Sequence, residues 1–69
     1  SAGGGSLIKA AQMRIADVKR TLLSKATDES ISEVERKSAG SALSKLDAAG
    51  GFARLDANTA AVIDRLVAG

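Results

Sequence analysis

Apolar residues in this sequence fall into three rows with spacings of three and four, and no proline interrupts any of them. A period near 3.6 residues places each row along one side of a helix, whereas a half-buried strand would alternate every second residue. The first row is Ile8, Ala11, Ile15, Val18 and Leu22, continued by Ala26, and it predicts an amphipathic helix over residues 7–26. The second is Ile31, Val34, Ser38, Ala39, Ala42, Leu43, Leu46 and Ala49, predicting a helix over 29–49. The third is Phe52, Leu55, Thr59, Val62 and Leu66 with Ile63 and Val67 beside it, predicting a helix over about 56–67, with Phe52 folding in from the loop before it.

Local punctuation agrees with this division. Ser30 followed by Glu33 has the spacing of a capping box, in which each side chain satisfies a free backbone N–H at a helix start. Gly50 and Gly51 supply the left-handed conformation that commonly closes a helix. Asp56 and Asn58 are both good N-caps, which leaves the start of the third helix open between them. Gly40 interrupts the second helix on the face opposite its stripe, at a cost of about 1 kcal/mol relative to Ala. Ser1 to Ser6 carries three consecutive glycines, the composition of a flexible linker, and is read as a tail (an expression remnant or a native terminus) ahead of one domain over 7–69.

Three amphipathic helices joined by short turns imply an all-α, up-down-up bundle with an antiparallel first pair. Such a bundle is thin. In 69 residues there are sixteen Leu, Ile, Val and Met and one aromatic, Phe52, and half of the second stripe is Ser or Ala. A core this small barely offsets the conformational entropy of ordering the chain, so completion by oligomerisation or by docking on a partner is expected.

The missing residue types exclude much chemistry. Without His or Cys there is no disulfide framework, no common zinc or iron–sulfur site and no ordinary general base or thiol nucleophile, so neither enzyme activity nor a metal or cofactor site is expected. The carboxylates Asp28, Glu29, Glu33 and Glu35 gather at a helix start, where acids oppose the positive end of the helix dipole, and they lack the ligand spacing of a calcium loop. Neither glycine cluster is followed by the Lys-Ser/Thr pair of a phosphate-binding loop. No run approaches the roughly 18 apolar residues of a membrane span, and no signal-peptide core follows a basic start, so a soluble protein of undetermined compartment is expected.

Charge is unevenly spread. Residues 1–26 hold five bases against one acid, and residues 27–69 hold five bases against seven acids, within a net charge of +2. Glu35 stands out because its helical phase places a carboxylate inside the second stripe. Either it reaches water or a basic neighbour such as Lys25, Arg54 or Arg65, or it meets a cation on another chain and fixes the register of assembly. Met13, Ala16, Leu23 and the stem of Lys19 lie off the core row of the first helix, either as the scattered exposed apolar residues of an ordinary surface or as a narrow second seam for a helix in trans. The candidate partner-binding set is therefore Met13, Leu23 and Glu35, with whatever of Phe52, Ile63 and Val67 stays exposed.

A nucleic-acid reading rests on Lys9, Arg14, Lys19, Arg20 and Lys25, because neutralised phosphates supply most non-specific affinity. Their phases scatter around the first helix, and no aromatic platform for bases accompanies them. The run Ser41-Ala42-Leu43-Ser44-Lys45-Leu46-Asp47-Ala48-Ala49, with Asn58-Thr59-Ala60-Ala61 and Arg65-Leu66, slightly resembles the C-terminal half of a three-helix ribosomal protein of the bacterial small subunit. It covers about a third of the chain. The resemblance implies RNA binding through a dense Lys/Arg cluster around the Asn-Thr-Ala-Ala motif, where this chain carries Asp56, Val62, Ile63 and Asp64. The expectation is thus a non-catalytic helical module that binds another protein or further copies of itself, with an RNA- or DNA-associated protein as the alternative.

Overall fold

The computed structural model describes residues 13–68. The tail 1–6 and the first part of the expected opening helix, including Ile8, Lys9 and Ala11, lie outside the described residues. Three helices follow: α1, Ile15–Ala26; α2, Glu33–Ala49; and α3, Ala57–Ala68, with a 3₁₀ turn at Phe52–Arg54 before α3. No strand occurs among the described residues.

Within the described residues the helix expected over 7–26 begins at Ile15, since Met13 and Arg14 are not helical. Arg14 is extended (ψ 140°) and stands at the N-cap position, its carbonyl accepting from the N–H groups of Asp17 and Val18. This register puts Asp17 in the first turn, where a carboxylate opposes the helix dipole, and lets it pair with Arg20 at 2.9 Å. Arg14, three residues before Asp17, forms no such pair, because it precedes the helix. Thr27 closes α1: its hydroxyl donates to the carbonyls of Leu23 (3.0 Å) and Ser24 (3.2 Å), and its N–H also bonds Leu23.

α2 begins later than expected, at Glu33 rather than near residue 29. The reason is a competition for Ser30. Asp28 accepts both the Ser30 N–H (2.9 Å) and its hydroxyl (2.6 Å), so this serine is held in the turn and cannot cap. Ser32 takes the role, its hydroxyl accepting from the Glu35 N–H at 3.1 Å. Arg36, one turn into α2, reaches back to donate to the carbonyls of Ile31 and Asp28 and fastens the connection to the helix. At the other end Gly50 has φ 76°, and its N–H bonds the carbonyls of Leu46 and Asp47, as its glycine identity implied.

The start of α3 falls to Asp56. Its carboxylate accepts the Thr59 N–H at 3.0 Å and the Thr59 hydroxyl at 2.6 Å, while its carbonyl accepts from the Ala60 N–H. The helices pack as an up-down-up bundle. Lys19 near the start of α1 pairs with Asp47 near the end of α2 at 2.7 Å, and Lys25 near the end of α1 lies 3.9 Å from Glu35 at the start of α2, so the two run antiparallel.

Val18, Leu22, Ala39, Ala42, Leu46, Ile63 and Leu66 make the buried core, with Met13, Ala26, Leu43, Phe52, Leu55, Val62 and Val67 packed around it. Ala39 and Ala42 let α1 approach α2 closely. Even Gly40 belongs to this flank rather than to an outer face: a Cβ placed there would stand 3.9 Å from that of Ala26, in ordinary contact.

Candidate interaction surface

Each sequence-predicted partner residue has a definite place. Leu23 is 54% exposed on α1, as its phase implied. Met13 does not form a free seam with it, because the bend before α1 folds Met13 half-buried against the core. Phe52 and Val67 are likewise half-buried against the core. Ile63 is removed from the candidate surface altogether. It is fully buried at the centre of the arc that α3 presents to both other helices, so no partner can touch it in this fold.

Two core assignments move the other way. Ile15, in phase with Val18 and Leu22, is 39% exposed because it is the first residue of its helix. Val34 is 80% exposed. With α2 centred on Ala39, Ala42 and Leu46, Val34 lies about 100° from the middle of the stripe, in the first turn. Glu35 has the core phase, but the same first-turn position puts it at the bundle end, where its carboxylate stays partly solvated beside Lys25. Of the two alternatives for Glu35, the basic neighbour in its own chain is present.

The seam between α2 and α3 opens into a groove at each end. The groove near the α2–α3 connection, about 300 Å³, is lined by Ser38, Ser41, Lys45, Asp56, Asn58 and Val62 among others. Its acid is already engaged: the hydroxyl and N–H of Thr59 hold the Asp56 carboxyl below the usual Asp range. The groove at the opposite end, about 440 Å³, is lined by Ser32, Val34, Glu35, Ser38, Arg65 and Leu66. Here an exposed valine and a core leucine share a groove with a carboxylate and a guanidinium. No ion pair joins Glu35 to Arg65 within the chain.

Sequence reasoning missed Asp64. It is 5% exposed, and among the described residues neither carboxylate oxygen accepts a hydrogen bond. The phase signal was present, since Asp64 follows Ala60 by four residues and precedes Val67 by three. It was masked by centring the α3 stripe on Leu55, Thr59, Val62 and Leu66 instead of on Ile63. No group of three or more acidic, His or Cys side chains able to hold a metal occurs among the described residues. Within them, too, no helix is long and apolar enough to cross a membrane.

The basic candidates are divided. Lys9 lies outside the described residues, Arg14 is exposed, and Lys19, Arg20 and Lys25 pair with Asp47, Asp17 and Glu35. Compared with known proteins, the chain matches no family model, no curated protein and no solved structure. The short similarity around Ser41–Ala49 and Asn58–Leu66 therefore brings no family with it.

Proposed function

We propose that this chain is a non-catalytic helical module for protein–protein interaction or assembly. The observation that carries the reading is the exposure of Val34, Leu23 and Ile15 when, among the described residues, the fully buried large side chains are Leu22, Leu46, Ile63 and Val18. A bundle with so little interior leaves three large aliphatic side chains in water, and covering them would add apolar burial that the chain alone lacks. An RNA- or DNA-associated role draws on less, because three of the four described bases of the nucleic-acid set already lie beside carboxylates of the same chain: Lys19 2.7 Å from Asp47, Arg20 2.9 Å from Asp17 and Lys25 3.9 Å from Glu35.

The test is mass in solution by light scattering over a dilution series, read beside helical content by circular dichroism. Helicity and mass falling together on dilution support folding coupled to assembly. A fully helical monomer at every concentration removes self-assembly. Binding to nucleic acid that falls steeply between about 50 and 200 mM salt would favour the alternative.

A further inference from the structure

The groove at the Ser32 end of the seam between α2 and α3 differs from the rest of the surface in what it holds together. It contains the most exposed large apolar side chain of the described fold, Val34, next to the core residue Leu66. It also contains one charge of each sign, Glu35 from the first turn of α2 and Arg65 from the last turn of α3. Glu35 is drawn only loosely to Lys25, at 3.9 Å with its side chain 44% exposed, and it makes no ion pair with Arg65 in its own chain. Arg65 forms no ion pair with any described residue.

A groove with this content is complementary to itself. In a twofold contact a residue that meets a second residue of the copy is met by that second residue in turn, so a patch that carries both partners of an ion pair on its two rims satisfies both when it faces a copy of itself. We propose that this groove is one half of a twofold interface with a second copy of the chain, Val34 of each copy entering the groove of the other and Glu35 of each facing Arg65 of the other. The proposal rests on the assembly reading and gives it a partner and a register. The contact covers Val34 and supplies Arg65 with an anion. Its apolar centre is small, which places the dimer in the weak, micromolar class.

The symmetry makes a test that no general loss of stability imitates. Glu35→Arg alone places two cations opposite each other at both rims, and Arg65→Glu alone places two anions there. A mixture of the two variants pairs opposite charges at both rims again. Sedimentation velocity from about 5 to 500 μM should show a monomer–dimer equilibrium for the unmodified chain. Each single variant should weaken it on the order of a hundredfold while keeping the helical circular dichroism of the parent. The 1:1 mixture should recover a heterodimer, and Val34→Asp should abolish dimerisation without rescue by either charge variant. A dimer indifferent to all three substitutions overturns this interface and leaves the assembly reading standing. A helical monomer up to 500 μM overturns the dimer itself, and failure of the mixture to recover association overturns the Glu35–Arg65 register.

Discussion

The two ends of the seam between α2 and α3 are made of the same helices and present opposite surfaces. At the connection end the helix ends and the acid are satisfied internally: Gly50 closes α2, Phe52 turns in against the core, and Asp56 engages both the N–H and the hydroxyl of Thr59. At the Ser32 end the backbone is equally well satisfied, by Ser32, by the Asp28–Ser30 turn and by Arg36, yet the side chains left outside are an aliphatic one and two opposite charges. Capping explains where a helix stops. It does not explain why a valine stands 80% exposed beside the cap, and that residue is what separates a finished end from an adhesive one.

Both ends depend on one interior, so the most severe way to break the comparison is to empty it. Leu46→Ala removes one of the four fully buried large side chains of the described residues, and a loss of about 2–5 kcal/mol is expected, read as a drop of roughly 10 °C or more in thermal melting. Asp64→Leu should act in the opposite direction. Its carboxylate is buried without a hydrogen-bond partner among the described residues, and an aliphatic side chain there should raise stability by about 1–3 kcal/mol in urea unfolding. No gain would mean that the carboxylate has a partner.

Asp56→Ala should lower the melting temperature by roughly 5 °C through loss of the α3 cap, whereas Asp56→Asn keeps a capping oxygen and should cost less. The same position carries a pH signature. Asp56 and Asp28 are held below their ordinary value of 3.8 by Thr59 and Ser30 respectively, so the stability they add is present above the unfolded-state pKa and is lost as pH falls through the lower folded values. Acid titration of the parent should therefore show a stability loss below about pH 4, and Asp28→Asn with Asp56→Asn should flatten that limb. The smallest effect belongs to the other end. Val34→Ser should change the stability of the monomer by less than about 0.5 kcal/mol, since the side chain is already in water. Its effect belongs to association.

Much of this architecture was legible in the sequence. The three rows identified three helices and their order, and Gly50 and Asp56 marked real ends. What failed were the registers near helix starts, and each failure has a local cause. Two serines competed to cap α2, and Asp28 settled the matter by engaging Ser30, a side-chain bond two residues long that apolar periodicity does not register. Moving the start by those few residues is what turned Glu35 from an apparent core acid into a first-turn residue at the bundle end. In α3 the apolar residues occupy so much of the circumference that the centre of the stripe was ambiguous, and the error hid both the burial of Ile63 and that of Asp64. The groove of Val34, Glu35, Arg65 and Leu66 joins residues about thirty positions apart, and only the antiparallel packing of α2 and α3 brings them together.

The grip of Arg36 on the carbonyls of Ile31 and Asp28 also bears on the order in which the molecule forms. It ties the second turn of α2 to a connection of only six residues, so α1 and α2 can meet while little of the chain has been ordered. Closing a loop of that size takes well under a microsecond, and contacts close in sequence favour fast folding. α3, whose contacts with α1 span some forty residues, would then arrive last on a hairpin already formed. On this view the groove beside Val34 is completed only in the final step of folding, and a chain caught before that step has no adhesive end to offer.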